Sequence, residues 1–400
     1  MFRHRLFAWA STLILASGAA PSPTPAPAPP PLSAQGAILV DGNTGQILYG
    51  KAIDQPFYPA SITKIMTAYL AIRDGWNRTV QVSVAAQNQP GSSCYLRAGE
   101  VEPMSSVVTC MMLVSGNDAA WAVAETVSGS VSRFVQLMNR TAQQWGASGV
   151  HFTNPSGLPD PHHVVTARGM AIIAEHAMQN PIFQQVVATK QSTLPPDPRP
   201  RQYYNQNRLL YDYPGAVGIK IGYTVEADET IVAAARRNGV LLIAVLLHDT
   251  PAGLWPDARN LVTWGFTNFH PVAIAQRGQS EGTVELDGRT LAVRAGEDLR
   301  YLAPTGVTPA IAIRRELIAP GSAAIRAGER VGYLTVTVQG APFAKIPLEA
   351  AESLPPPPAR PRPQWWSWAL GLGALVGAAA WGRGRRRRPR YRLAQSRLWR

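Results

Sequence analysis

The sequence predicts an α+β protein: an antiparallel sheet interrupted by a long helical insertion and followed by a small all-β domain. Three observations carry this. Ala37-Ile-Leu-Val40 and Gln46-Ile-Leu-Tyr49 flank the turn-forming cluster Asp41-Gly-Asn-Thr-Gly45, a hairpin pattern. Residues 60–180 are rich in Ala and Met at helical spacing. Strand patterns return at 217–224, 230–235 and 240–247, the last two joined by Asn238-Gly239, a strong short hairpin signal. The early and late strands therefore belong to one sheet, with the helices inserted between them. A further helix is expected over roughly 255–268. Beyond 276, short alternating strands at 284–286, 291–293, 310–313 and 334–338 are separated by Gly, Asp and Pro, which describes the all-β domain.

The chain has 400 residues, enough for two or three domains with a real core. Arg3, His4 and Arg5 precede an apolar run at 6–16 and small residues through Ala20. That is the layout of a signal peptide over 1–20, too short to span a membrane comfortably. Near the other end, 365–381 is apolar apart from Ser367, with Trp365, Trp366, Trp368 and Trp381 at its borders. Indole rings prefer the headgroup region, so 365–382 reads as a transmembrane helix. Nine arginines and no acid follow in 383–400, which places that tail in the cytoplasm and the body outside it. Pro-rich linkers at 21–32 and 354–364 bracket the folded body, divided into a catalytic domain over 33–275 and a β-sandwich over 276–353. The net charge of +13 is carried by the nine tail arginines with Arg3, Arg5, Arg360 and Arg362, leaving 21–353 formally neutral. The basic balance therefore reports membrane topology, and a nucleic-acid partner is excluded. Cys94 and Cys110 fit an exported chain as a bridge or as two buried thiols, and the sequence leaves both open.

Three short motifs carry the chemistry. Ser61-Ile-Thr-Lys64 follows Pro59 at the start of a helix. A spacing of three puts Ser61 and Lys64 on one face, and the helix around them is apolar nearly all round. Burial disfavours an ammonium, so Lys64 becomes a base for Ser61. The helix N-terminus favours negative charge developing on the serine oxygen. Ser115-Gly-Asn117 can turn two polar side chains to one site from a short loop. Lys220-Ile-Gly222 lies in a strand, where Gly222 admits a close substrate backbone. Each motif alone is also a common cap, turn or edge-strand pattern. In this order and on these elements, the three form the signature of the serine acyl-enzymes.

The likeness extends further. Ala60-Ser-Ile-Thr-Lys-Ile-Met-Thr-Ala68 resembles the nucleophile helix of the secreted D-alanyl-D-alanine carboxypeptidases, the low-molecular-weight penicillin-binding proteins. Gly91-Ser-Ser, Gly99-Glu100, Ser115-Gly-Asn-Asp-Ala-Ala120, Asn154-Pro-Ser-Gly-Leu158, Thr166-Ala167 and Asn205-Gln-Asn207 fall where that family has similar segments. The resemblance covers about 34–350 and implies the penicillin-binding/β-lactamase-like transpeptidase fold. It implies Ser61 as nucleophile, Lys64 as base and Ser115 as proton relay to the leaving D-alanine, helped by Lys220. Asn117 would hold the substrate carbonyl. The backbone N–H groups of Ser61 and Tyr223 would form an oxyanion hole beside Gly222. The implied partners are D-Ala-D-Ala stem peptides and β-lactams, with no cofactor and no metal.

Ile221 departs from the family, which has Thr or Ser there to help bind the terminal carboxylate. Losing that hydrogen bond costs about 1.5–3 kcal/mol, and the branched side chain is expected to crowd the groove. Thr224 is near enough to substitute in part. Gly169 and Asp228 also differ, peripherally. A β-lactamase would need a Glu-x-x-Leu-Asn segment between the second and third motifs, which the chain lacks. A non-catalytic peptidoglycan-binding or regulatory role is the other reading that Ile221 motivates. His162 and His163 read as loop histidines, without metal-site spacing.

Overall fold

The computed structural model describes residues 28–194, 200–286, 288–318 and 324–356. The expected signal peptide, transmembrane helix and Arg-rich tail, with most of both Pro-rich linkers, lie outside them. Among the described residues no helix is long and apolar enough to cross a membrane.

The hairpin pattern becomes β1 (Gly36–Asp41) and β2 (Ile47–Lys51). The helical insertion follows with α1 (Lys64–Gly75), α2 (Met104–Val114), α3 (Asn117–Ser128), α4 (Val131–Gln144), α5 (Ala167–Met178) and α6 (Pro181–Ala188). The chain then returns as β3 (Ala216–Thr224), β4 (Asp228–Arg237) and β5 (Val240–Asp249), and crosses the sheet as α7 (Leu254–Asn268). The sheet order is β2-β1-β5-β4-β3, antiparallel throughout. The expectation of one sheet around an insertion is met.

Strand alternation explains why this sheet has two apolar faces. Ile38, Val40, Leu241, Ile243, Val245 and Leu247 join the helical block in one cluster. Ala37, Leu39, Leu242, Ala244 and Leu246 face α7 in another. The unbroken apolar run at 240–247 is thus a strand covered on both sides. Three of these helices, α4, α5 and α6, begin where a short polar side chain takes up free N–H groups. Ser130 accepts from Arg133, Thr166 from Gly169, and Asn180 from Ile182 and Phe183. Gly169 sits against its neighbours: a Cβ there would lie 2.4 Å from Val150 Cγ2.

The all-β part comprises β6 (Phe269–Ala275), β7 (Ser280–Leu286), β8 (Arg289–Ala295), β9 (Leu299–Pro304), β10 (Ile311–Leu317), β11 (Arg330–Val338) and β12 (Ala341–Ala350). A five-stranded sheet, β7-β8-β12-β11-β10, shares one apolar cluster with the pair β6-β9. Because β6 pairs with β9, this part begins at Phe269, earlier than the composition change at 276 suggests. It docks on the first sheet: the Gln46 side chain donates to Leu302 O and accepts from Leu302 N at 2.9 and 2.8 Å. Cys94 and Cys110, left open by the sequence, form a disulfide that ties the 90–96 loop to α2.

Candidate active site

Ser61 lies in the single 3-10 turn Ala60–Thr63 that leads into α1. Three neighbours hold this turn. Gly157, at φ +86°, passes so close to the Ala60 carbonyl that a Cβ would clash with it. The Thr230 hydroxyl lies 2.9 Å from Pro59 O and 3.1 Å from Gly222 O, joining β4, β3 and the chain entering the turn. A Cβ on Gly222 would sit 2.6 Å from Ser61 N, so only glycine lets β3 run this near Ser61.

Lys64 is fully buried. Its Nζ lies 2.9 Å from Ser61 Oγ, 2.7 Å from Asn117 Oδ1 and 2.7 Å from Ser156 O. Burial, reinforced by the nearby Lys220 charge and opposed by Asp118, holds its pKa well below that of an ordinary lysine. A neutral amine has two N–H donors and one lone pair. The Ser156 carbonyl can only accept. Asn117 also presents oxygen, because its Nδ2 donates to Pro90 O at 2.7 Å. Both donors are therefore committed, and the lone pair turns to Ser61 Oγ, the only one of the three able to donate.

The opposite wall is built differently. Ser115 ends α2 in the left-handed region, at φ +67°, which aims its side chain away from the helix. It is buried, and its Oγ has no hydrogen-bond partner among the described residues. Lys220, also buried, is pushed down to about 7 by desolvation. Among the described residues it has neither a hydrogen bond nor a carboxylate partner. Tyr223 is 59% exposed on the rim. Thr224 Oγ1 accepts from Ala227 N at 3.0 Å, closing the turn into β4 with its proton still free to donate.

Two expectations need correction. Ile221 does not crowd the groove: strand alternation turns it away from Lys220, onto the apolar cluster beneath the sheet with Leu209, Ile231 and Trp255. What the substitution removes is a hydroxyl and no space. His163 is more than a loop residue. It is 1% exposed, and its Nδ1 accepts from Thr153 N at 3.3 Å. Nε2 therefore carries the proton and donates to Thr63 Oγ1 at 3.0 Å. Burial lowers its pKa to about 4, so it stays neutral. His162 is exposed, as expected of a loop.

Two positioning residues lie in the family-like segments but were given no role from the sequence. Asn154 Oδ1 accepts from Ser156, Gly157 and Leu158 N–H, shaping the loop that presents Ser156 O to Lys64. Asp118 accepts from Cys94 N, Leu96 N and Ser93 Oγ, fixing the loop that carries Pro90. Their polar residue types in an apolar block were the available signal. Among the described residues no cluster of side chains could hold a metal.

The peptidase S11 family profile, D-alanyl-D-alanine carboxypeptidase, matches residues 24–250, more than half of the chain. The chain belongs to the D-alanyl-D-alanine carboxypeptidase family. Its activity is that of a serine-type D-Ala-D-Ala carboxypeptidase. The D-alanyl-D-alanine carboxypeptidase DacA of Haemophilus influenzae is 32% identical over 80% of this chain and 84% of its own length. The carboxypeptidase DacF of Bacillus subtilis is 29% identical over 80% of this chain and 86% of its own. The crystal structure of penicillin binding protein 5 from H. influenzae superposes with a TM-score of 0.69 at 29% identity, covering 82% of this chain and 99% of that one. The carboxypeptidase thus has a penicillin-binding-protein-like α+β fold.

Proposed function

We propose that this carboxypeptidase removes the terminal D-alanine of peptidoglycan stem peptides through an ester on Ser61. The observation that carries the reading is the Lys64 amine, whose two hydrogens are committed to acceptors and whose lone pair faces Ser61 Oγ. Ser61 Oγ attacks the carbonyl carbon of the penultimate D-alanine as its proton passes to Lys64. Negative charge on the carbonyl oxygen is met by the backbone N–H groups of Ser61 and Tyr223. Ser115 passes a proton to the leaving D-alanine nitrogen, supported by the Lys220 charge, and the C–N bond breaks. Water, activated by Lys64, then hydrolyses the ester. A β-lactam would acylate the same oxygen, but its leaving nitrogen stays tethered. Asn117 orients Lys64 through Oδ1, and its Nδ2 keeps a second N–H, beyond the one given to Pro90 O, for the substrate carbonyl.

The Trp-flanked apolar segment 365–382 and the arginines after it support a single-pass anchor with the body outside the cytoplasm. The signal peptide at 1–20 supports export. The β-rich part over 269–354 and the Pro-rich stem would then hold the active site at a height above the membrane. The deciding experiment measures D-alanine release from diacetyl-Lys-D-Ala-D-Ala by residues 33–353. Release by the parent and none by Ser61→Ala is the expected result. Undiminished release by Ser61→Ala would sink the assignment.

A further inference from the structure

Ser115 closes α2 and Asn117 opens α3, with Gly116 alone between them. Two side chains that the reaction needs beside each other thus belong to different helices. Asn117 is fixed by its bonds to Lys64 and Pro90 O. Ser115 is held otherwise. Its Oγ has no hydrogen-bond partner among the described residues, so the backbone of the turn sets its aim. Whatever seats that backbone therefore bears on the chemistry.

The 90–96 loop packs against this turn. Ser92 O accepts from Asn117 N at 2.7 Å. A Cβ on Gly116 would lie 2.6 Å from Cys94 Sγ and 3.0 Å from Cys94 N, so the half-cystine rests directly on the middle residue of the turn. Asp118 fastens the loop to α3, accepting from Cys94 N, Leu96 N and Ser93 Oγ at 2.9, 3.0 and 2.6 Å. The Cys94–Cys110 disulfide fastens the same loop to α2. One short loop is thus tied to both helices, and covalently to the one that carries Ser115. On a further side, the Tyr203 hydroxyl donates to Cys94 O at 2.6 Å. Cys94 and Cys110 are at most 1% exposed, so the cross-link is part of the packed interior behind the site.

We infer that the Cys94–Cys110 disulfide is a positioning element of the catalytic site, seating the Ser115-Gly116-Asn117 turn so that Ser115 Oγ reaches the leaving nitrogen. This rests on the relay reading of Ser115. A cross-link also stabilises a fold by restricting the unfolded chain. That effect changes how much protein is folded, and leaves the preferences of each folded molecule alone. A positioning role shows instead as a change of preference. When the amide C–N bond breaks, the departing nitrogen needs the proton that Ser115 delivers. When a thioester C–S bond breaks, sulfur keeps the electron pair and leaves as a thiolate without one.

The test compares kcat/KM for diacetyl-Lys-D-Ala-D-Ala and for its thioester analogue, with thiolactate in place of the terminal D-alanine. The proteins are the parent, Ser115→Ala, Cys110→Ala and Cys94→Ala/Cys110→Ala. Cys110→Ala cuts the tether but leaves the Cys94 sulfur against Gly116, and the double variant removes both. The cysteine variants should lower the amide-over-thioester ratio about ten- to a hundred-fold, the double variant more, because a displacement of about 1 Å can cost about a hundredfold. Ser115→Ala should lower it most. Cysteine variants that keep the parent's ratio, whatever the loss in both rates, overturn the positioning role. A ratio that Ser115→Ala leaves unchanged instead overturns the relay reading beneath it.

Discussion

The two walls of the cleft are prepared to different degrees. On the Ser61 wall every polar group is partnered: Lys64 makes three hydrogen bonds, Thr230 touches two carbonyls, and Asn154 and His163 hold the loops behind them. On the opposite wall, Ser115 Oγ is buried without a hydrogen-bond partner among the described residues, and Lys220 is buried without a carboxylate partner among them. Burying polar groups unpaired costs free energy, so such groups are kept where a ligand completes them. The contrast teaches that the proposed base and nucleophile, Lys64 and Ser61, are assembled by the fold, whereas the proposed anchoring half is left for the peptide to complete.

Breaking the prepared wall should have the largest effect. Lys64→Met removes the base while keeping bulk, and should slow acylation by benzylpenicillin about 10²–10⁴-fold in a stopped-flow assay. In the parent, acylation should rise with pH as Lys64 sheds its proton, with the inflection below an ordinary lysine's because burial disfavours the charged form. A flat profile would remove Lys64 from the base role.

An intermediate effect falls on stability. His163 titrates at about 4 when folded, whereas an exposed histidine titrates near 6.5. The unfolded chain therefore takes up this proton first as pH falls. The stability it contributes is complete above about pH 6.5 and is lost progressively down to about pH 4, roughly 3 kcal/mol in all. Urea unfolding across that window should show a steeper loss in the parent than in His163→Gln. Equal slopes would place the histidine in solvent.

The smallest effect sharpens the incomplete wall. Ile221→Thr puts a hydroxyl back at position 221, and should raise kcat/KM on the acid peptide less than about tenfold, because strand alternation turns this side chain away from the groove. It also withdraws apolar surface from the cluster with Leu209 and Ile231, lowering stability by about 1 kcal/mol. A hundredfold gain would mean that the side chain at position 221 reaches the groove.

Much of this was legible in one dimension because it is local. Motif spacing singled out Ser61, Lys64, Ser115, Asn117 and Lys220 as candidates, and turn chemistry with alternation located the five sheet strands. The start of the β-rich part was misplaced because β6 is recognisable as such only through β9, thirty residues on. Ile221 was misread because residue type does not reveal which face of an edge strand a side chain occupies. His163 looked like a loop residue because burial is a property of what packs over it.

The amino-acid order alone thus determined the chemistry on offer: a serine and lysine one helical turn apart, a second serine, a strand lysine and the glycine beside it. Tertiary structure alone decided how those groups are used. Only packing could bury Lys64 and lower its proton affinity, commit its hydrogens to Asn117 and Ser156, and pair Cys94 with Cys110. Desolvation and hydrogen-bond geometry depend on neighbours distant in sequence, which no local pattern encodes.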